Sequence, residues 1–282
     1  MGKLSLTFFV VGVAACGSDN NNNVDAHVVV PDTKPIDAPK VFLDAPPVTY
    51  DFACLGATAP ATAPDHVTIA GTTQTIVGMA FGPLVTVTVE SYLAGTATAA
   101  DTQISAADGT FTTAPLATGA VPLDGYLKAF TPPPAANQPS DYRTTYIYPP
   151  NKLAANLTQA LVPLISTANF AMLALVGVNQ SDATNGFMLI TVSDCTLNPI
   201  TGASLTVKQG NNTVGTQVDL GQFLPAFAGI FAVADVPDGD VTIGGSYSGM
   251  TFANHVVHAY KMPNDAHAVG TITVSAVVPG WF

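Results

Sequence analysis

The chain has 282 residues, 48% of them hydrophobic and only 10% charged, enough for two cores and too many for one ordinary domain. Eight Lys and Arg against 19 Asp and Glu give a net charge of −11, which argues against a phosphate backbone or an anionic lipid surface as partner, so no nucleic acid is expected. One Glu (Glu90), one Arg (Arg143), 24 Gly and 22 Pro leave few side chains for solvated helix faces, and the composition predicts strands joined by turns.

Lys3 begins a short positive stretch, and Leu4 to Ala15 is an apolar run ending in small residues. That is the form of a secretory signal, and it is too short to span a bilayer. The run closes on Val13-Ala14-Ala15-Cys16 and continues Gly17-Ser18-Asp19, which resembles the lipobox of bacterial lipoproteins. The resemblance implies that Cys16 is the lipidated first residue of the mature chain, anchored to a membrane by its acyl chains. Gly17 resembles the outer-membrane default of such proteins. From there to Phe52, Asn, Asp and Pro recur without a helical or strand period. Such a stretch cannot bury a core, and its prolines and like charges extend it into a disordered tether. At about 3.1 Å per residue its reach is on the order of 100 Å.

Beyond Phe52, an offset of 120 residues aligns two stretches of the chain. Gly109-x-Phe111 meets Gly229-x-Phe231, Leu116 meets Val236, Gly119 meets Gly239, Val121 meets Val241, Leu123 meets Ile243 and Gly125 meets Gly245. Upstream, Gly82-x-x-Val85-Thr86-Val87 meets Gly202-x-x-Leu205-Thr206-Val207. Each copy reads as alternating strands and turns, the pattern of a β-sandwich. Turn glycines take backbone angles that a β-carbon forbids, Phe and the alternating Val and Ile face the core, and Pro237-Asp238-Gly239 is expected to close a hairpin. The pattern resembles the carboxypeptidase regulatory-like and Cna-B-like domains, which share a transthyretin-like, prealbumin-like β-sandwich. The resemblance implies two tandem modules of a non-catalytic kind. A hydrolase branch of that fold carries His and Arg in its site and a Tyr-Arg-Gly-Ser tail, whereas this chain ends Val277-Val278-Pro279-Gly280-Trp281-Phe282 and has only Arg143, so a hydrolase is disfavoured.

Between the copies, Leu153 to Ser181 carries no charge. Pro163 interrupts it, Ser166 and Thr167 read as a helix cap, and Ala168 to Val178 reads as a short helix with Phe170, Leu173 and Ala174 on one face. It is too short to cross a membrane. The expected organisation is therefore a signal peptide over 1–15, lipidated cysteine and tether over 16–52, a first sandwich over 53–150, a connector with a short helix over 151–185 and a second sandwich over 186–282.

Cys54 and Cys195 are left for an oxidising compartment: either they form a disulfide that clips the tether's end to the second copy, worth on the order of 4 kcal/mol, or they are two buried free thiols. His255-x-x-His258 with Asp265 and His267 is the one group with metal-ligand residue types, but residues three apart in a strand point to opposite faces, so no metal site is expected. Asp235, Asp238 and Asp240 lack the calcium-loop spacing and read as turn residues, like Asp108. Gly245-Ser246-Tyr247-Ser248-Gly249 places its serines wrongly for a nucleophile elbow. Trp281 and Phe282 are expected to cover an edge of the second sandwich. No catalytic site or cofactor is indicated, and no ligand site can be named. The expectation is a non-catalytic cell-envelope lipoprotein whose tandem β-sandwich modules act as a structural or protein-interaction unit held off the membrane, its envelope partner, protein or glycan, unidentified. The alternative is a glycan-binding protein using Tyr142, Tyr146, Tyr148, Tyr247 or Tyr260 as stacking platforms.

Overall fold

The structure is a computed structural model that describes residues 49–77, 80–132, 140–182, 184–223 and 225–260, all within one compact unit, Val48–Phe282. The signal peptide, Cys16 and the tether up to residue 48 lie outside the described residues, as do Asp265, His267, Trp281 and Phe282.

The chain is mainly β, in two sandwich lobes. The first contains β1 (His66–Val67), β2 (Ile69–Val77), β3 (Ala80–Pro83), β4 (Thr88–Leu93), β5 (Asp101–Ile104), β6 (Thr110–Thr112), β7 (Leu116–Ala117), β8 (Gly125–Phe130), β9 (Thr145–Ile147) and β10 (Leu157–Pro163). One layer has β2 at its centre, with β10 on one edge and β3 and β6 on the other, and the small β1–β7 pair lies beside it. The other runs β5–β4–β8–β9. The second lobe contains β11 (Gly186–Thr191), β12 (Ser204–Gln209), β13 (Asn212–Thr213), β14 (Thr216–Asp219), β15 (Ile230–Val236), β16 (Gly239–Tyr247), β17 (Met250–Thr251) and β18 (His255–Ala259). Its layers are β11–β15–β14 and a sheet in which β16 takes β12 on one edge and β18 on the other, with β13 beyond β12. The order β13–β12–β16–β18 thus repeats β5–β4–β8–β9. Alternation explains the layers: Val89, Leu127 and Ala129 face the first core, Val207, Val241 and Ile243 the second, and their neighbours face outward.

The Gly-x-Phe motif has the same role in both lobes. Gly109 and Gly229 sit at φ +80° and +71°, and Phe111 and Phe231 are core residues. The carbonyl of Gly109 accepts from Thr73 N at 2.8 Å, and that of Gly229 from Val192 N at 2.9 Å. A β-carbon on Gly109 would stand 2.8 Å from the Thr73 carbonyl oxygen, and one on Gly229 2.8 Å from the Ile200 nitrogen. Positive φ and contact with backbone together exclude any other residue.

Away from that motif the constant offset fails. Val121 is 56% exposed in the loop before β8, whereas Val241 is buried within β16. The strand β8 starts at Gly125, not at the Gly119 that the offset requires. Val85 is likewise exposed and Thr86 has φ 60°, while Leu205 and Val207 lie in β12. The residue matching Val207 is Val89, since Val89 opposes Ala129 as Val207 opposes Ile243. Extra residues in the first copy's loops account for the slippage. Pro237-Asp238-Gly239 does not close a hairpin either: β15 and β16 belong to different layers, and the turn carries the chain across the sandwich.

The connector does more than connect. Residues 157–163, assigned to it from sequence, form β10 in the first lobe. Then Ser166 caps α1 (Thr167–Met172), its hydroxyl accepting from Asn169 N at 3.0 Å. A 3₁₀ turn over Leu173–Val176 continues it and ends at Gly177 in the left-handed region. Phe170, Leu173 and Val176 pack with Ile165, Val178 and Phe187 over the outer face of β15, where Ala232 and Ala234 are fully buried and small enough to let the connector lie close. Ile76 of the first lobe joins this cluster, and the Asn169 amide donates to its carbonyl at 2.9 Å. No helix among the described residues is long and apolar enough to cross a membrane.

Replacing Gly229 by Ala is expected to cost about 2–4 kcal/mol in chemical denaturation, and Gly109→Ala a similar amount. Gly119→Ala, at φ +63° with open space around the β-carbon position, is expected to cost about 1 kcal/mol. Equal losses at all three positions would contradict this account of the motif.

Candidate functional site

The first candidate surface is built on residues 50–54, at the start of the described chain. Cys54 and Cys195 are joined in a disulfide with Cα atoms 5.7 Å apart, closing a sequence separation of 141 residues. Around it the chain is fastened to the second lobe by more than sulfur. The backbone of Asp51 both donates to Asp194 Oδ2 at 3.1 Å and accepts from Cys195 N at 2.9 Å. The Tyr50 hydroxyl accepts from Thr201 N at 2.9 Å. Asp194 is 1% exposed and also accepts from Thr196 N, Thr196 Oγ1 and Asn198 N, each at 2.9 Å. Burial alone would raise its pKa, but the donors from Asp51, Asn198 and Thr196 outweigh it and hold the carboxyl below the usual range. Tyr50 and Phe52, assigned to the tether from sequence, close over this node. Tyr50 meets Tyr247 edge-on at 5.4 Å, and Phe52 stacks on Tyr247 at 5.9 Å and on the buried Phe252 at 6.1 Å.

The second is an aromatic seam between the lobes. The outward-facing residues of the first lobe's four-stranded sheet include Glu90 and Tyr92 on β4, Tyr126 and Lys128 on β8 and Tyr146 on β9. Tyr92 and Tyr126, directly opposite in register, stack at 5.1 Å. Tyr126 also meets Tyr148 at 5.3 Å, and Tyr146 lies at 4.0 Å against Tyr260 of the second lobe. The Tyr148 hydroxyl donates to the His258 carbonyl at 3.3 Å. Glu90 accepts from the Tyr92 hydroxyl at 2.9 Å and pairs with Lys128 at 3.2 Å. Burial pushes the Tyr92 phenol up to about 12, helped by Glu90, and it pushes Tyr146 up to about 12. Burial raises Tyr126 and Tyr148 further, with hydrogen bonds to Tyr260 adding to it.

The tyrosines expected as sugar platforms are all half-buried. Tyr146, Tyr148 and Tyr260 are in the seam, Tyr247 is under Tyr50 and Phe52, and Tyr142 packs on the first core. A sugar ring stacks on an open aromatic face, and in the seam rings cover one another's faces. His255 and His258 are on opposite faces of β18. His255 Nε2 is buried with no hydrogen-bond partner among the described residues, and burial holds that imidazole's pKa low. His258 Nδ1 lies 2.8 Å from Asp240. Among the described residues no three His, Cys, Asp or Glu come together as a metal cluster. Asp235 accepts from Ser181 and Asp182 and fixes the connector's end rather than a hairpin. Ser248 and Gly249, both at positive φ, form the tight turn between β16 and β17. The Asp194 node was missed from sequence, although Asp-x-Thr recurs at Asp108, Asp182 and Asp194, and each carboxylate accepts from its Thr.

No protein-family profile and no curated protein matches the chain. Among solved structures it is similar to the TIE protein of Bacillus anthracis, at 12% identity and TM-score 0.23 over 75% of this chain and 33% of that one. It is similar also to the shaft pilin SpaA of Lactobacillus rhamnosus GG, at 11% and 0.25 over 76% and 97%, and to GBS52, the minor pilin of Streptococcus agalactiae, at 11% and 0.24 over 75% and 94%. The chain spans about a third of the TIE protein's length. Overlaps this loose carry no argument about function, and the two-lobed β-sandwich rests on the strand pairing itself.

The seam makes a pH prediction. A raised phenol pKa favours the neutral form in the fold, so its stabilisation is complete below pH 10 and is lost as pH rises from 10 through about 12. Ultraviolet titration is expected to show Tyr92, Tyr126, Tyr146 and Tyr148, out of eight tyrosines, ionising only at about 12 or above, with the melting temperature falling over the same range. A single titration of all eight near 10 would contradict the seam.

Proposed function

We propose that the chain is a non-catalytic cell-envelope lipoprotein, held off an outer membrane by an acyl anchor on Cys16 and an acidic tether, whose two lobes act as one structural or protein-interaction unit. The observation that carries this reading is the fastening of the tether's end to the second lobe through Cys54–Cys195 and the buried Asp194. A chain that merely links a membrane to a binding domain needs no such joint. Here, load from the anchor enters the second lobe directly, and the first lobe hangs as a closed loop outside the covalent path. The seam and the connector cluster then join the lobes side by side. That construction suits a module that keeps its shape while partners pull on it.

Growth of bacteria expressing the chain with an alkyne-bearing palmitate analogue tests the anchor. The wild type is expected to take up the label and to sediment with membranes. Cys16→Ser is expected to lose both properties while keeping the Cys54–Cys195 bond. An unlabelled wild type, or label that survives the substitution, would overturn the lipoprotein reading.

A further inference from the structure

The seam between the lobes gathers one chemical group. Five of the eight tyrosines meet there, Tyr92, Tyr126, Tyr146 and Tyr148 from the first lobe and Tyr260 from the second. Tyr146 and Tyr260 have ring centroids 4.0 Å apart and planes within 19° of parallel, the closest ring pair among the described residues. Tyr50 and Tyr247 meet differently, edge-on at 5.4 Å and 84°. Facing rings let two phenoxyl radicals share electron density across the gap, and an edge-on pair does not. Holding the two rings in contact also turns a bimolecular coupling into a step within one molecule.

We propose that Tyr146 and Tyr260 are a site of oxidative cross-linking, joined as dityrosine by hydrogen peroxide acting through a haem peroxidase, so that a carbon–carbon bond closes the seam. Each phenol loses one electron and its hydroxyl proton, and the peroxide takes up both electrons and both protons to become two waters. One ring carbon beside each hydroxyl forms the new bond. The hydrogen on that carbon then moves to the oxygen, which restores two aromatic phenols. The surrounding rings carry the oxidation inward. An oxidised Tyr92 is refilled with an electron by Tyr126, on which it stacks at 5.1 Å, and Tyr126 in turn by Tyr146 at 5.9 Å. The oxidant therefore need not touch the paired rings themselves. Glu90 accepts from the Tyr92 hydroxyl at 2.9 Å, so it holds that proton while the ring is oxidised and returns it when the ring is refilled. The bond is a second covalent closure beside Cys54–Cys195: it ties the strand β9 of the first lobe to the residue that follows β18 in the second. The proposal goes beyond the structural role above and stands on the geometry of the seam, whatever the fate of the lipid anchor.

Treating the full Cys16→Ser chain, kept dilute, with hydrogen peroxide and a haem peroxidase tests the site, with mass spectrometry of the peptides after reduction and digestion. The expected product joins the peptides carrying Tyr146 and Tyr260 of one chain, is two hydrogens lighter than their sum, and exceeds every other dityrosine pair at least tenfold. Once reduced and denatured, the oxidised chain is expected to migrate faster than the untreated one, because the new bond closes a loop. Tyr260→Phe is expected to remove the product, and Tyr247→Phe to leave it unchanged. Unfolding the chain in urea before oxidation is expected to abolish the preference for this pair. Dityrosine formed mainly at another pair or mainly between chains, the same preference in urea, or tyrosines left uncoupled by the oxidant would each overturn the proposal.

Discussion

The joint between Cys54 and Cys195 is the constraint on which the rest of the molecule depends. It makes the chain reach the second lobe first, leave it to build the first lobe as a loop spanning 141 residues of sequence, and return to complete the lobe it started from. A cross-link of that span removes much of the freedom of the unfolded chain. Its surroundings are organised to keep it in place. Asp194 is buried and surrounded by donors that hold its carboxyl pKa low, and removing one of them would leave a buried charge less well compensated. Beside it, Tyr50 and Phe52 pack on Tyr247 and Phe252 of the second lobe.

A closed loop alone does not orient the lobes. Two contacts between them do, and they differ in chemistry. Near β9 and β18 the lobes meet through phenols, which combine apolar faces with hydroxyls that find partners in Tyr260, Glu90 and the His258 carbonyl. Around the connector they meet through aliphatic and phenyl side chains, with the Asn169 amide fixing the register against Ile76. Phe81 of β3 adds a ring contact with Phe227 of the second lobe at 5.7 Å. Rings that on an isolated sandwich would form an exposed platform are thereby used to bind the chain's own second half.

How much could be read from the sequence depends on the range of each physical cause. Gly109-x-Phe111 and Gly229-x-Phe231 were legible because a positive φ pressed against backbone is a local demand that only glycine meets. Ser166 was legible as a cap for the same reason, although the helix after it is shorter than its apolar run implies and tightens to a 3₁₀ turn before Gly177. Val121 and Val85 were misplaced because loop residues shift the offset between copies, and nothing local marks a shift. The Pro-Asp-Gly turn was legible as a turn but not as a crossing between layers, since the same residues serve both. Tyr50 and Phe52 were hidden in a Pro- and Asp-rich stretch whose average composition denies a core. Their partners, Tyr247 and Phe252, are far away in the sequence. Of the seam's tyrosines, Tyr146, Tyr148 and Tyr260 were expected as sugar platforms, and Tyr92 and Tyr126 were not singled out, because they come together only when β4 pairs with β8.

If the proposed anchor and tether are in place, the Cys54–Cys195 bond routes load past the first lobe. Single-molecule pulling between a handle in the tether and one at the far end of the Cys16→Ser chain measures this directly. With the cross-link intact, full extension should fall short of that of the reduced chain by the closed loop, 141 residues at about 3.5 Å each, or roughly 500 Å. Equal extensions with and without reductant would mean that the force runs through the first lobe and that the account is wrong.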